Sequence, residues 1–259
     1  MKEPKTILIT GASSGIGAAL ALEYAAPGIH LTLTGRNLDR LEEIERRCQD
    51  KGASLVSRVV DVTNRDVMAS LIAEIDRDHP LDLVIANAGI SGGTGGSAED
   101  ENKGEDETQA RTIFDVNFTG TLNTIWPAIE AMKMRKRGQI AVLSSIAGMT
   151  PMPGAPAYST SKIALKAYAE ALNGALRMDG ITVTAVCPGF VRSRITDQNN
   201  FPMPFFMDTP KAAHIIRRGL AKAKVSVIFP WPLAAAAWLI GRLPPGWRVA
   251  LLSRMPKKG

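Results

Sequence analysis

"TILITGASSGIGAALALEYAAPG", residues 6–28, is the stretch whose reading decides the fold. It opens with five apolar and β-branched residues, the length of a buried strand, and continues with Ala, Leu and Ile at helical spacing until Pro27 and Gly28 stop the helix. Between strand and helix lies TGASSGIG, residues 10–17. Gly11 permits a tight turn, Gly15 lets backbone approach a pyrophosphate, and Gly17 lets helix pack on strand, while the helix start supplies amide donors and positive potential. The spacing G-x-x-x-G-x-G differs from the G-x-G-x-x-G of the usual dinucleotide fingerprint. Ser13, Ser14 and Ile16 complete the candidate phosphate turn.

Six further runs repeat the strand signal: HLTLT (30–34), SLVSRVV (54–60), LDLVIA (81–86), QIAVLSS (139–145), ITVTAV (181–186) and VSVIF (225–229). They are short, continuous and rich in β-branched residues or leucine, as strands buried on both faces are. Helical patterns separate most of them. This alternation predicts a three-layer α/β fold, a doubly wound, seven-stranded parallel sheet that binds ligands at the carboxyl ends of its strands. One connection departs from the pattern: residues 91–111, SGGTGGSAEDENKGEDETQAR, read as a solvated loop beside the cofactor cleft.

The totals fit one large domain, with 259 residues, 45% hydrophobic and 22% charged. We expect residues 1–230 to form the sheet domain, with a substrate loop at about 194–210, and residues 231–259 to form a helical tail of the same domain. The amino-terminal residues lack the apolar core and cleavage site of an export signal, so a cytoplasmic location is expected. Cys48 and Cys187 are far apart, as are His30, His79 and His214, so neither a disulfide framework nor a metal site is read. Residues 211–259 hold ten basic residues and no acid, although the whole chain carries a net charge of only +6. Either an anionic partner or a basic solubilising surface explains this; no nucleic-acid partner is expected.

The end of the second strand bears on the cofactor. An acid there normally receives the adenosine ribose of NAD; this chain instead reads Thr34, Gly35, Arg36. Glycine leaves room and Arg36 offers a fork of donors to a 2′-phosphate, so NADP(H) is favoured over NAD(H).

YSTSK, residues 158–162, sets Tyr158 and Lys162 four apart on one face of a helix whose start is marked by Pro153 and Pro156. A phenol, with an ordinary pKa of about 10, exchanges protons poorly near neutrality unless nearby positive charge lowers it. Ser145 ends the fifth strand, and Asn117 lies in VNFTG on the preceding helix.

With these motifs in order, together with DVT (61–63), NAG (87–89) and PGFVRS (188–193), the chain resembles the classical short-chain dehydrogenase/reductase family from residue 6 to about 193. The resemblance implies a Rossmann-type sheet, hydride exchange between a nicotinamide and a carbonyl or secondary alcohol, and a homodimer or homotetramer formed through the helices at 111–135 and 157–178. It implies that Tyr158 is the acid/base, that Ser145 holds the substrate oxygen, and that Lys162 binds the nicotinamide ribose and lowers the Tyr158 pKa. Asn117 would support a water leading to solvent. Asp61 and Val62 would flank the adenine, Asn87 and Gly89 the adenosine-side ribose and phosphate path, and Pro188, Val191 and Ser193 the nicotinamide side. Ser193 stands where the family usually has threonine.

Residues 195–210, ITDQNNFPMPFFMDTP, hold Phe201, Met203, Phe205, Phe206 and Met207. They suit the wall of a site for a hydrophobic ketone or alcohol, or else core or a subunit contact. The tail, FPWPLAAAAWLIGRLPPGWRVALL (229–252), reads as a helix over about 232–243, ended by Pro244, Pro245 and Gly246, followed by a second helical segment. Both are too short to span a bilayer. They would pack on a partner subunit or the cleft, or lie on an anionic membrane surface, making the protein peripheral to the inner face of a membrane. Three functions are therefore carried forward: a soluble reductase, a reductase of lipid-like substrates at a membrane surface, and a non-enzymatic dinucleotide-binding regulatory protein.

Overall fold

The computed structural model describes residues 3–92, 105–197 and 202–254. Seven strands form one parallel sheet: β1 (Thr6–Thr10), β2 (His30–Gly35), β3 (Ser54–Val59), β4 (Leu83–Ala86), β5 (Gly138–Leu143), β6 (Ile181–Pro188) and β7 (Ser226–Phe229), in the order β3-β2-β1-β4-β5-β6-β7. Ile7 registers with Leu31 on one side and with Leu83 on the other, so the strand order reverses between β1 and β4.

The helices are α1 (Gly15–Tyr24), α2 (Leu38–Gln49), α3 (Arg65–Asp78), α4 (Glu107–Phe114), α5 (Gly120–Met134), α6 (Pro156–Ala175), α7 (Arg194–Asp197), α8 (Thr209–Ala221), α9 (Trp231–Gly241) and α10 (Pro245–Leu252). Asn37, Asn64 and Asp106 start α2, α3 and α4 by accepting a backbone N–H three residues on. Because side chains alternate along a strand, Ile7 and Ile9 join the core beneath α1, α2 and α8, whereas Leu8 joins the one beneath α3, α5 and α6. The sheet is therefore covered on both faces.

Several boundaries differ from the sequence reading. β5 ends at Leu143, so Ser145 lies beyond the strand and starts a short 3-10 turn, Ile146–Gly148. α4 begins at Glu107, which shortens the predicted loop; of that loop, residues 93–104 lie outside the described residues, as does Phe201. The predicted helix over 111–135 is interrupted by a π-helical turn, Asp115–Thr119. In the tail, Pro245 opens α10 instead of closing α9, since a first helical position needs no N–H. No described helix is long and apolar enough to cross a membrane.

Candidate active site

The glycine turn is held by its neighbours. The Thr10 hydroxyl accepts the N–H groups of Asn87 and Ala88, each at 3.1 Å, and Ala12 N–H donates to Thr34 O at 2.8 Å. Gly11 has φ +65, and a Cβ there would stand 2.9 Å from Ala88 Cα; at Gly17 it would stand 2.3 Å from Gly11 O. A side chain at either place would push β1, β4 and α1 apart. Ser14 starts α1 but makes no side-chain cap bond, leaving the first-turn amides for an outside acceptor. A cradle of this form fits a dinucleotide's diphosphate.

The candidates line the carboxyl edge of the sheet in sequence. Gly35 faces Ser13, whose Oγ is 3.1 Å from the place of a Gly35 Cβ, and Arg36 is exposed beside them. The exposed Asp61 carboxyl is held below the usual range by the Thr63 N–H, with help from the Thr63 hydroxyl and from Arg36. Val62 turns inward against Gly120, and its carbonyl accepts from Asn123 at 3.0 Å. Ser193 crosses to the glycine turn, its Cβ lying 3.2 Å from the place of a Gly15 Cβ. Its N–H donates to the Thr196 hydroxyl, which also donates to Val191 O. Ile16, in the first turn of α1, packs against the core.

Two predicted residues use their side chains to build the site. Asn87 spends its amide N–H groups on Thr10 O (2.9 Å) and Gly11 O (3.1 Å). Asn117, fully buried in the π-helical turn, accepts from Ile90 N–H at 2.8 Å and donates to Ile90 O (3.0 Å) and to Ser161 Oγ (3.1 Å). The π-helical turn thereby locks the strand end after β4 to α6. A Cβ on Gly89 would lie 3.1 Å from Asn117 Oδ1 and 3.3 Å from Lys162 Nζ, so Gly89 stands at the lysine end of the cleft.

At that end Tyr158 and Lys162 share the inner face of α6. Ser145 acts on the Tyr158 phenol to lower its pKa, accepts Ala147 N–H at 3.1 Å and reaches toward Pro188 O. Lys162 Nζ lies 5.8 Å from the Tyr158 ring centre and donates to Leu143 O at 2.9 Å, while the Ser144 hydroxyl anchors the Lys162 carbonyl. Burial pushes the ammonium down to about 8. Cys187, beside it, is pushed up to about 11 by burial and stays a thiol.

The expected lowering of the Tyr158 pKa is not what the chain's own atoms produce. Burial raises the phenol, with the Ser145 hydrogen bond pulling the other way. Desolvation wins because the Lys162 ammonium is itself desolvated and held to the Leu143 carbonyl.

One partner of this site escaped the sequence reading. Glu105 accepts the N–H groups of Ala157 and Tyr158, the second at 3.1 Å, at the start of α6. Ala155 in the cap position has no side-chain acceptor, and Pro156 has no N–H. Nothing in an acidic loop separates Glu105 from its neighbours, because the contact joins residues 52 and 53 positions apart.

In the substrate segment, Met207 joins Val191 in a short parallel bridge. Phe205 and Phe206 remain exposed, at 56% and 39%, so they do not fill the core.

Comparison with known proteins agrees with this geometry. Residues 5–202 match the family described as short chain dehydrogenase. An uncharacterized oxidoreductase of Myxococcus xanthus is 38% identical over 241 residues, covering 93% of each chain. A 3-oxoacyl-[acyl-carrier-protein] reductase FabG of Rickettsia bellii is 33% identical, covering 76% of each. A short-chain dehydrogenase from Sphingobium yanoikuyae, solved in complex with NADPH, superposes with a TM-score of 0.78 at 25% identity, covering 98% of this chain and 97% of that one.

Proposed function

Since this chain belongs to the short chain dehydrogenase family, we propose that it interconverts an apolar ketone and its secondary alcohol using NADP(H), with Tyr158 as the acid/base. The chain is an oxidoreductase of the CH–OH class, and its cofactor is a nicotinamide dinucleotide. The dinucleotide, when bound, supplies or accepts the hydride at its nicotinamide ring.

The chain's own residues handle the oxygen and its proton. In reduction Tyr158 gives its phenolic proton to the carbonyl oxygen as the carbon becomes an alcohol carbon; in oxidation the proton returns. Ser145 holds the same oxygen and orients the phenol. A phenol raised by burial stays protonated at neutral pH, the form that reduction consumes, and positive charge from a bound oxidised nicotinamide would bring its pKa back down. Lys162 would hold the nicotinamide ribose with its positive charge, and it exchanges protons readily near its pKa of about 8. Asn117 fixes the strand end against which these groups are set.

The Ser145 side chain acting on the Tyr158 phenol, with Lys162 one turn along the same helix as Tyr158, carries this reading. Gly35 and Arg36, with the Ser13 hydroxyl beside them, support NADP(H); the exposed Phe205 and Phe206 support an apolar substrate. Residues 1–230 are the catalytic unit and residues 231–259 extend the same domain. Partly exposed Phe114 on α4 and Trp126 on α5 support self-association through that side. The test is a panel of apolar ketones with NADPH and NADH, read by nicotinamide absorbance for the protein and for Tyr158→Phe. Turnover with NADPH that the variant loses while still binding NADPH supports the reading. An equally active variant removes Tyr158 from the chemistry.

A further inference from the structure

α9 is apolar all round, and both α9 and α10 leave large apolar side chains facing outward. The exposed residues of α9 include Trp231, Ala235, Trp238 and Leu239, with Arg242 at its C-cap, at the i, i+4, i+7, i+8 and i+11 spacing of one helix face. Leu233, on the other side, packs near Gly189, and Gly241 lies close to Met149 O. α10 repeats the arrangement: Trp247, Ala250, Leu251 and Arg254 are exposed, while Leu252 is buried and Arg248 donates to Gly241 O at 3.1 Å. A helix on a water-facing surface shows the opposite pattern, polar outside and apolar inside. Trp231 and Trp247 are 77% and 73% exposed, and a contiguous apolar face of this kind marks an interaction surface.

Charge selects the partner. The exposed Arg242 and Arg254 border the apolar stripe, and residues 231–254 contain no acid. A twofold contact with a second copy would press this basic face against itself. An anionic lipid surface answers both features: indoles lie at headgroup level, aliphatic side chains enter the acyl boundary, and guanidinium groups meet phosphates. The Arg242 guanidinium stacks 3.2 Å from the centre of the Trp238 ring, which sets charge and indole at one depth. Eleven residues give α9 about 16 Å, so it lies in the interface and does not cross it.

We infer that the outward face of α9 and α10 is a docking surface for a bilayer containing anionic phospholipid. α9 contacts the turn Ile146–Gly148, whose first cap is Ser145, so docking also brings the Ser145 end of the cleft toward the lipid. That orientation rests on the function proposed above; the docking itself does not.

The test sediments the full-length protein with vesicles of phosphatidylcholine alone or mixed equally with phosphatidylglycerol, at low and high salt. The expected result is binding to the anionic vesicles at low salt, release at high salt, and blue-shifted tryptophan emission quenched by brominated acyl chains. Trp231→Ser with Trp247→Ser should abolish partitioning, and Arg242→Ala or Arg254→Ala should weaken it about fivefold each. Turnover of a water-soluble ketone is measured on every variant. Retained turnover with lost partitioning separates docking from the catalytic assignment, and absent turnover in a protein that still docks counts only against the latter. Docking is overturned if the protein stays in the supernatant with anionic vesicles at low salt. It is also overturned if sedimentation velocity shows that this face instead holds a dimer, one that the double tryptophan variant dissociates.

Discussion

The Glu105 carboxylate accepts the backbone N–H of Tyr158 at 3.1 Å and that of Ala157 beside it. A loop acid thereby serves as the missing cap of the helix that carries Tyr158 and Lys162, and its charge sits favourably at a helix N-terminus. Glu105→Ala should lower stability by about 1 kcal/mol and turnover about tenfold, with little change in the NADPH KM. Glu105→Gln, whose amide oxygen still accepts, should lose much less. Thermal melts beside kcat and KM check this; an alanine variant with wild-type values would show that the contact positions nothing.

Lys162 should lower stability at the pH where it works. Its folded pKa of about 8 lies below the ordinary 10.5, so between those values the unfolded chain binds the extra proton and stability rises with pH. Below about pH 8 the full penalty, on the order of 3 kcal/mol, is present. Lys162→Met should therefore stabilise the protein by about 2 kcal/mol at neutral pH, after the lost bond to Leu143 O, while abolishing turnover. That advantage should shrink as pH is raised toward 10, as urea unfolding at several pH values would reveal.

Cofactor choice should turn on Gly35 and Arg36. A carboxylate from Gly35→Asp would lie beside Ser13 and repel a 2′-phosphate, raising the NADPH KM about tenfold or more and improving NADH use. Arg36→Ala should raise the NADPH KM about tenfold and leave NADH unaffected. Parallel titrations with the two cofactors test both variants.

Phe205 and Phe206 are open to solvent, so replacing both with serine should leave the melting temperature unchanged. The same double variant should lower kcat/KM for apolar ketones about tenfold, and hardly alter that for small polar ones. Equal losses on both kinds of substrate would point to a structural fault.

Much of the fold was legible because buried parallel strands read as unbroken apolar runs: the runs at 6–10, 30–34 and 54–60 lie within one residue of β1, β2 and β3. Local turn chemistry likewise pointed to Gly11 and Gly17, and helical spacing set Tyr158 and Lys162 on one face. What escaped depends on residues meeting across the chain. Ser144 and Ser145 continue an apolar run, yet the strand ends at Leu143 before the 3-10 turn begins. The π-helical turn around Asn117 is set by its bonds to Ile90 and Ser161, which no helical periodicity encodes. The direction of the Tyr158 pKa in the protein alone follows from three-dimensional burial, whereas the resemblance implied that Lys162 lowers it.

The reversal of strand order between β1 and β4 also bears on how the chain reaches its fold. β1 meets β2 through the next stretch of sequence, as Thr6 pairs with His30, whereas its other edge waits for Leu83 and its neighbours. The ladder β3-β2-β1 can therefore assemble from the first part of the chain while the open edge of β1 remains unpaired. Capture of that edge by β4 closes a contact between distant segments, the kind of non-local pairing that slows folding. Without β4, Ile7, Leu8 and Ile9 would lie on an unsealed strand edge, the kind of exposed seam that invites misassembly.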